Sequence, residues 1–426
     1  MWAWEAFCRP EAGTLDWTRL FPSEKLTLGA DDMLGVGCGS KRAKMDHENF
    51  EFFIICTPGF EDISASELAR WYPSLGCKVE RGGLTVMAPL ATGFQLNRVL
   101  KTPTRILLRL VSFGCRDFPK LFKKISGFAW EDWLDDRSRV SFHATSSGSR
   151  LKIKTRIEET CWEARVARLR KRGRPHARFE GPKADVYVRL TDDVCHLSLD
   201  TSGEILHKRG VRVLSAEAPV RETTAAALLT WMQDLAKQEG LSNDAVELVD
   251  AMCGSGTFLI EARGLAEEIK SRRFAFEDFK VIVSPCENQI VNLSGGFSRL
   301  IGFDRDAKAF SAAEQNLREV PNVELHHADF FTAVALPDHT CRWVVANPPY
   351  DERLSIEGGL KAFYEKLLTE AVRVARPQLA GFLFPESAHP ENLRLPKGWR
   401  KLALKKFSNG GIAVSAVVYS CRPKAE

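Results

Sequence analysis

The 426-residue sequence lacks the features that mark membrane, secreted and metal-binding proteins. No apolar run approaches the roughly 18 residues that a membrane-spanning helix needs. The N-terminus lacks the succession of basic, apolar and small residues of a secretory signal. Eleven cysteines are present, but they are scattered and never stand at a Cys-x-x-Cys spacing, which argues against zinc and thioredoxin-type sites. We therefore expect a cytoplasmic protein with reduced thiols, no bound metal and no membrane association.

The chain as a whole also lacks a strong excess of one charge, since its formal net charge is +5. The positive charge is concentrated between positions 150 and 189, where thirteen Lys and Arg residues stand against five Asp and Glu. The remainder of the chain is slightly acidic. A basic segment inside a balanced protein indicates contact with a phosphate backbone, and a solvated helix face is the simpler alternative.

Three regions follow one another along the chain. Residues 1–48 show no sustained hydrophobic periodicity of a helix or a strand. We therefore expect that the natural start lies near Met45 or that these residues are a dispensable tail. An activity assay on the protein without them would test this expectation. Residues 50–212 alternate strands and helices, including a basic helix over Glu158–Lys171 and a hairpin turn at Asp192-Asp193. From about residue 215, short apolar strands alternate with helical patterns, which predicts a parallel sheet covered on both faces.

The end of the chain distinguishes two classes of doubly wound sheet. Leu402–Phe407 and Ile412–Ser420 flank Asn409-Gly410-Gly411, a tight-turn sequence between two strands. A parallel sheet that ends in an antiparallel hairpin is typical of class I methyltransferases and separates them from dinucleotide dehydrogenases. The predicted fold class is therefore α/β.

A glycine-containing turn, Asp250-Ala-Met-Cys-Gly-Ser-Gly256, lies between a strand and a helix predicted over Thr257–Ser271. Its glycines let the backbone approach a ligand closely and leave helix N–H groups exposed. Asp250, at the strand end, would repel a pyrophosphate and favours a cofactor with a cationic ammonium or sulfonium group. The third glycine of the dinucleotide fingerprint is missing, since position 259 is leucine. These features favour S-adenosylmethionine over a nicotinamide dinucleotide.

Two more aspartates, Asp304 and Asp329, lie at the carboxyl ends of the next two predicted strands. Asp304 is placed for the ribose hydroxyls of an adenosine, whereas Asp306 is better placed to cap the following helix. Asp329 is placed to accept from an adenine amino group, with Phe330 packing against the ring. Each strand-end Asp alone is as often a cap as a ligand, but successive strand ends reinforce one another. Because the first two of these strands are far apart in sequence, we assign residues 272–298 to an insertion.

The tetrapeptide Asn347-Pro348-Pro349-Tyr350 follows the apolar strand Trp343–Ala346. The exocyclic amine of a nucleobase is a poor nucleophile because its lone pair is conjugated into the ring. The Asn347 side-chain oxygen and the Pro348 carbonyl can accept its N–H groups and oppose that conjugation. The prolines fix the backbone, and Tyr350 offers a stacking face to an extruded base. The pattern predicts methyl transfer to a planar amino nitrogen; a proline-rich turn is the structural alternative.

Residues 250–258 and 347–354 resemble the signature segments of the bacterial large-subunit ribosomal RNA guanine-N2 methyltransferases. The similarity extends through Leu206-His-Lys-Arg-Gly-Val-Arg212 and Ala218-Pro-Val-Arg-Glu-Thr223. Residues 50–200 resemble the ferredoxin-like and THUMP modules of that family, and THUMP is an RNA-binding domain. The resemblance implies a class I methyltransferase sheet with a C-terminal antiparallel hairpin, preceded by an α+β module. The implied domains are a ferredoxin-like module at 49–105, THUMP at 106–205 and the S-adenosylmethionine-dependent domain at 213–426, with 1–48 as an extension.

The resemblance and the strand-end pattern together give a set of expected site residues. The catalytic residues are Asn347, Pro348 and Tyr350. The cofactor-binding residues are Asp250, Cys253, Gly254, Gly256, Asp304, Asp329 and Phe330. The RNA-binding residues are Arg165, Arg168, Arg170, Lys171, Arg172, Lys208, Arg209 and Arg212, and for the last three a role in domain packing is the alternative. Asp351 stands where the family usually has Gly, and Ala251 where Pro is frequent, and we expect little effect from either.

The implied reaction is methylation of a guanine N2 amine in 23S ribosomal RNA by a monomer that binds structured RNA. Guanine-N2 methylation of transfer RNA is a rival that shares the mechanism and the THUMP domain. DNA adenine-N6 methylation is disfavoured because no helix-turn-helix pattern accompanies the basic module. An RNA-binding protein with a decayed methyltransferase fold is disfavoured by the intact glycines, acids and Asn347.

Overall fold

The computed structural model describes residues 48–174, 179–210, 220–242, 245–281, 283, 296–339, 341–350 and 359–422. The expectations for residues 1–47, Arg212 and Asp351 therefore lie outside the described residues. Two seven-stranded sheets carry the described chain. None of the described helices combines the length and apolarity that crossing a bilayer requires.

The first sheet has the strand order β2-β3-β1-β4-β7-β6-β5 and is antiparallel except between β5 and β6. Its strands are β1 (Asn49–Ile55), β2 (Cys77–Glu80), β3 (Gly83–Pro89), β4 (Arg105–Gly114), β5 (Arg139–Ser147), β6 (Lys183–Thr191) and β7 (Val194–Asp200). Its helices are α1 (Glu61–Trp71), α2 (Leu90–Val99), α3 (Phe118–Gly127) and α4 (Lys154–Lys171). The basic helix α4 thus begins one turn earlier than predicted.

Strand β4 joins the two expected N-terminal modules into one sheet. Leu108 pairs with Phe52 of β1 on one side and with Leu199 of β7 on the other. Strand hydrogen bonds therefore run continuously across the boundary expected between residues 105 and 106. Buried apolar residues from both modules form a single core cluster beneath this sheet.

The turn between β6 and β7 confirms the predicted hairpin. Asp192 and Asp193 have φ values of 49° and 63°, and a two-residue type I′ turn needs positive φ at both positions. The Asp193 carboxylate accepts the Arg150 backbone N–H at 2.8 Å and pairs with Arg116 at 3.1 Å. These contacts tie the turn to neighbouring loops.

The second sheet has the order β10-β9-β8-β11-β12-β14-β13. Its strands are β8 (Val246–Asp250), β9 (Phe297–Asp304), β10 (Val323–His327), β11 (Arg342–Ala346), β12 (Leu379–Pro385), β13 (Arg400–Asn409) and β14 (Ile412–Ser420). Its helices are α5 (Glu222–Gln238), α6 (Thr257–Gly264), α7 (Ala307–Leu317) and α8 (Gly359–Ala375). Strands β8 to β12 are parallel, and β14 is antiparallel to both neighbours. The predicted α/β sheet with a C-terminal antiparallel hairpin is confirmed.

Helix α6 is shorter than predicted, since it ends at Gly264 and not at Ser271. Glycine is a poor helix former, which agrees with the end of α6 at this residue. Phe276 stacks on Phe94 of α2 with ring centroids 4.9 Å apart, and Phe274 is buried beside it. Within the expected insertion, residues 272–281 and 283 thus form a docking segment that packs the second sheet's domain onto the first. The predicted insertion extends too far, because Phe297 and Ser298 already belong to β9.

Arg272 fixes this docking segment to the linker that leaves β7. Its guanidinium donates four hydrogen bonds of 2.8–3.0 Å to backbone carbonyls, those of Ser202, Glu204, Ile205 and Lys208. Burial lowers the pKa of Arg272 from its usual value. A guanidinium has five N–H donors in a planar fork, so one side chain can hold several carbonyls of a folded-back loop.

Candidate active site

Three candidate side chains converge at the carboxyl edge of the second sheet. Strand β8 ends at Asp250, β9 ends at Asp304, and Asn347 follows the end of β11. In the sheet, β8 lies between β9 and β11, and Asp250 pairs in register with Val345. The carboxyl ends of adjacent parallel strands are where open α/β sheets bind ligands.

Asp250 is almost fully buried, with 1% of its surface exposed. Its Oδ1 accepts the Met252 backbone N–H at 3.2 Å, whereas its Oδ2 has no hydrogen-bond partner among the residues that the structure describes. Burial raises the pKa of Asp250 to about 8, and the nearby Asp304 carboxylate adds to the shift. Since a buried carboxylate oxygen without a partner is costly, this position suits a ligand that brings a positive charge or a donor.

The two glycines after β8 have different structural roles. Gly254 and Gly256 have φ values of 55° and 85°, which glycine adopts without strain. A Cβ at Gly256 would lie 2.7 Å from the Leu317 side chain, whereas a Cβ at Gly254 would meet no described residue within 4 Å. Gly256 therefore permits packing of α6 against α7, and Gly254 leaves open space at the site. Cys253, directly before these glycines, is buried, and its backbone N–H donates to the Phe303 carbonyl of β9 at 2.9 Å.

Asp304 organises the glycine turn from the neighbouring strand. Its Oδ2 accepts the Gly254 N–H at 2.8 Å, and its Oδ1 accepts the Asp306 N–H at 2.9 Å. Each carboxylate oxygen keeps a free acceptor direction. Asp306 accepts the Ala309 N–H at 2.8 Å and caps α7, as predicted. The two acids therefore separate into a cap and a residue that remains available to a ligand.

Asp329 and Phe330 end up in different surroundings. Asp329 accepts the Phe331 N–H at 2.9 Å and lies 3.4 Å from the Arg305 guanidinium. Phe330 is 2% exposed and packs edge-on against Phe303, with centroids 5.3 Å apart. The structure therefore assigns Phe330 to the core, which corrects the expectation that its ring faces an adenine. An aromatic ring next to an apolar strand gains more burial inside than at a site rim.

The tetrapeptide is held by an internal hydrogen bond and by a residue of a later helix. The Tyr350 hydroxyl donates to Asn347 Oδ1 at 2.5 Å. The buried Tyr364 of α8 donates to the Pro349 carbonyl at 2.9 Å. Burial raises the pKa of Tyr350 above its usual range, so its hydroxyl stays protonated. Sequence patterns did not point to Tyr364, because this residue lies on a separate helix beyond the tetrapeptide.

Arg165 on α4 does not face solvent. It is 2% exposed, donates to the Ser138 carbonyl at 3.2 Å and lies 5.4 Å from the centroid of the Phe179 ring. Burial lowers its pKa to about 10. The prediction that Arg165 contacts RNA is wrong, because the helix turns this side chain into the core of its module.

The other cations of α4 divide into a paired and an exposed group. Glu131 binds Arg168 at 2.5 Å and Arg172 at 2.8 Å, so these two guanidinium groups already have a carboxylate partner. Arg170 and Lys171 are exposed at the end of the helix. These last two keep the solvent access that a phosphate contact requires.

The linker after β7 also separates exposed from buried cations. Lys208 is exposed and lies 3.5 Å from Glu204. Arg209 is buried, pairs with Glu261 of α6 at 2.8 Å and donates to the Lys101 carbonyl at 2.7 Å. The prediction that Arg209 contacts RNA is therefore wrong, and its alternative, a packing role between domains, is confirmed. Arg212 lies outside the described residues.

Three protein-family models match the chain in succession. An RlmL ferredoxin-like domain matches residues 51–107, a THUMP domain matches residues 115–200, and an RMKL-like methyltransferase domain matches residues 209–414. The chain therefore carries a ferredoxin-like domain, a THUMP domain and an RlmKL-like methyltransferase domain of the class I fold.

Curated relatives similar to this chain are named ribosomal RNA large subunit methyltransferase K/L. The relative from Aliivibrio salmonicida is 29% identical over 408 residues, which cover 88% of this chain and 54% of that protein. The relative from Syntrophotalea carbinolica is 28% identical over 368 residues, which cover 78% of this chain and 50% of that protein. The chain thus spans about half the length of the curated relatives it matches.

Solved structures have the same fold. A putative methyltransferase complexed with SAH superposes with a TM-score of 0.73 at 23% identity, covering 89% of this chain and 100% of that one. TrmN from Thermus thermophilus superposes with a TM-score of 0.63 at 18% identity, covering 87% and 99%. At these identities the likeness shows the fold and nothing about the substrate.

Proposed function

We propose that this chain, with its ferredoxin-like, THUMP and RlmKL-like methyltransferase domains, uses S-adenosylmethionine to methylate the exocyclic N2 amine of a guanine in large-subunit ribosomal RNA. The observation that carries the proposal is the position of Asn347, at the end of β11 and beside the buried Asp250 of β8. This juxtaposition brings an amide acceptor for a nucleobase amine next to an acceptor for a cationic cofactor. The THUMP domain and the relatives' names support RNA as the substrate.

The residues of the glycine turn fit S-adenosylmethionine, which supplies an electrophilic methyl group on a sulfonium. The unpartnered Oδ2 of Asp250 would accept from its cationic part. Asp304 would bind ribose hydroxyls with the acceptor directions that its two backbone hydrogen bonds leave free. Asp329 would accept from the adenine amine, and the open space at Gly254 would let the backbone approach the cofactor.

The tetrapeptide would prepare the nucleobase for attack. Asn347 Oδ1 and the Pro348 carbonyl would accept the two N–H groups of the amine and oppose its conjugation with the ring. The amine proton becomes acidic once the new C–N bond begins to form, so no strong general base is needed. Tyr350 is a poor base in any case, because its hydroxyl is held protonated. Its ring would stack on the extruded base.

The exposed cations Arg170, Lys171 and Lys208 would contact phosphates of structured RNA. They lie on the THUMP helix α4 and on the linker to the catalytic domain. We keep the expected domain limits, residues 49–105, 106–205 and 213–426, as part of this proposal.

A methylation assay with three substrates tests the proposal. Purified protein would be incubated with S-adenosylmethionine and either an unmodified 23S ribosomal RNA transcript, transfer RNA transcripts or duplex DNA. The products would be digested to nucleosides and analysed by mass spectrometry. We expect N2-methylguanosine in the 23S RNA and none from the Asn347→Ala variant.

Each other result of this assay contradicts part of the proposal. N2-methylguanosine only in transfer RNA would assign the rival substrate with the same chemistry. N6-methyladenine in DNA would overturn both the base and the nucleic acid. No methylated nucleoside from any of the three substrates would favour an RNA-binding protein that has lost activity.

A further inference from the structure

Three exposed lysines form one face of helix α3, and these are Lys120, Lys123 and Lys124. They stand three and four residues apart, so their side chains are neighbours on the helix surface. Leu121 and Ile125, on the other side of the helix, are buried. The helix contains no acidic residue, and the carboxylate of its N-cap Asp117 accepts the Lys120 backbone N–H at 2.7 Å. We call these three residues the α3 lysine face.

The α3 lysine face lacks a counter-ion among the described residues. No carboxylate there lies within ion-pair distance of its three ammonium groups. Lys183 of β6, which is also exposed, differs because it pairs with Asp185 at 2.8 Å. Like charges at helical spacings of three and four residues repel each other. The face therefore raises the energy of the free protein and favours an external anion.

Helix α4 packs beside α3 and runs in the same direction. Near its start, the Arg156 guanidinium lies 4.1 Å from the centroid of the ring of Phe118, the first residue of α3. Near its end, Arg168 binds Glu131, which follows α3 closely in sequence, at 2.5 Å. The α3 lysine face therefore lies, along the axis of α4, between Arg156 at one end and the exposed Arg170 at the other.

The length and chemistry of this surface fit an extended polyanion. Helix α4 has 18 residues, and a rise of 1.5 Å per residue places its two ends about 25 Å apart. A lysine ammonium is a point charge that binds phosphate oxygens without reading a base edge. Both helices belong to the part of the chain that the THUMP domain matches, residues 115–200.

We propose that the α3 lysine face binds the phosphate backbone of the RNA substrate, between contacts at Arg156 and at the exposed end of α4. This contact supplies affinity that does not depend on base sequence, and it fixes where the RNA lies on the THUMP domain. It rests on the proposed function for the identity of the RNA and on the structure for the surface. The lysines of α3 lie outside positions 150–189, so the basic segment of the sequence does not include them.

Salt-dependent RNA binding by the full chain tests this surface. A 23S ribosomal RNA transcript would be titrated without S-adenosylmethionine over a range of salt concentrations. The triple variant Lys120→Gln/Lys123→Gln/Lys124→Gln removes three charges. We expect it to reduce the slope of log K against log salt by roughly two to three and to weaken binding about 10-fold or more. An unaltered slope, or a wild type that binds no RNA, would overturn the inference.

Two further triple variants separate the α3 lysine face from a general effect of charge. Arginine at the same three positions keeps the charge and should bind RNA within about 3-fold of the wild type. The matched control Lys78→Gln/Arg137→Gln/Lys183→Gln also removes three exposed cations, but each of these has a carboxylate partner. Its slope should stay close to the wild-type slope. Equal reductions in the control and in the α3 variant would overturn the inference, because net charge alone would explain them.

Methylation by the same proteins keeps this inference separate from the proposed function. The α3 variant should raise KM for RNA about 10-fold and leave kcat within about 2-fold of the wild type. If no RNA is methylated but the binding slope falls, the proposed function fails and the RNA surface stands. If RNA is methylated and the slope is unaltered, the surface fails and the function stands. Wild-type binding to phosphatidylglycerol vesicles that the α3 variant loses, with an unaltered RNA slope, would assign the face to a membrane surface and overturn the inference.

Discussion

At the scale of single residues, Asp250 and Asn347 prepare the site in opposite ways. Asp250 is buried, and one of its oxygens has no partner in the described part of the chain, so a ligand that supplies a donor relieves a cost already present in the fold. Asn347 Oδ1 is satisfied internally by Tyr350, so a nucleobase has to displace a hydrogen bond. The cofactor side is therefore open to its ligand, whereas the base side is closed until the substrate competes for it.

The raised pKa of Asp250 makes the stability of the cofactor-free protein depend on pH. The folded pKa is about 8, against roughly 3.9 for an unfolded aspartate. The folded state favours the protonated form, so this contribution is fully present below about pH 4 and is lost as pH rises through about 8. We expect Tm of Asp250→Asn to fall less between pH 5 and 8 than that of the wild type, as measured by thermal unfolding.

The exposed Asp338 supplies the control for this titration. Asp338→Asn should retain the wild-type slope of Tm against pH. A wild-type slope in Asp250→Asn would show that Asp250 is not the group responsible.

Asn347 should matter for turnover and little for cofactor binding. Asn347→Ala removes an acceptor that acts on the amine as it reacts, so we expect kcat to fall by a factor of about 100 or more. Cofactor affinity, measured by calorimetry, should stay within about 3-fold of the wild type, since the strand-end acids are untouched. Asn392→Ala, at an exposed position, is the control. Equal losses of turnover and cofactor affinity would instead indicate a damaged fold.

At the scale of elements, the docking segment after α6 does more than span a gap in the sheet. Its aromatic residues complete the core of the first domain, and Arg272 holds four carbonyls of the linker after β7. The buried pair of Arg209 and Glu261 lies in the same interface. The element that looks like an insertion in the methyltransferase sheet is therefore the attachment of that sheet to the ferredoxin-like and THUMP half.

Two adjacent arginines give a direct test of this attachment. Arg272→Ala leaves the linker carbonyls without their donor, and we expect a loss of roughly 2–4 kcal/mol in the free energy of unfolding. Arg273 is 74% exposed and makes surface ion pairs with Glu277 and Asp278, so Arg273→Ala should leave the free energy of unfolding close to the wild-type value. Urea unfolding of both variants measures the difference. Similar losses would contradict the attachment role.

At the scale of the whole molecule, the continuous first sheet and the docking segment hold the THUMP domain in a defined place beside the catalytic domain. Strand β4 links the ferredoxin-like and THUMP parts, and the linker contacts secure the methyltransferase part. An RNA bound at the exposed end of α4 would therefore meet the catalytic edge at a fixed separation, which would favour a substrate of defined shape.

We expect the exposed cations at the end of α4 to contact phosphates of the bound RNA. The double variant Arg170→Glu/Lys171→Glu is expected to weaken RNA binding and to reduce the slope of log K against log salt by about two. Cofactor affinity should be unchanged. Titrations over a range of salt concentrations measure the slope, with Lys237→Glu/Arg318→Glu on the catalytic domain as a charge-matched control. An unaltered slope in the first variant would contradict the contact.

Much of the catalytic half follows from local sequence. Alternating strands and helices gave the parallel sheet, and Asn409-Gly410-Gly411 gave the hairpin that ends it. Asp306 was separable from Asp304 because a cap must lie directly before its helix. These features depend on residues close to one another in the chain, so residue type and spacing are enough to predict them.

The sequence by itself determined the class of fold, the strand-end acids and the tetrapeptide, because backbone conformation and ligand chemistry at these points depend on short segments. Only the tertiary structure decided which cations are exposed. Arg165 and Arg209 are as basic in sequence as Arg170, but they are buried by helix orientation and by a partner domain. Burial and long-range pairing are properties of the packed chain, since the residues that create them are distant in sequence.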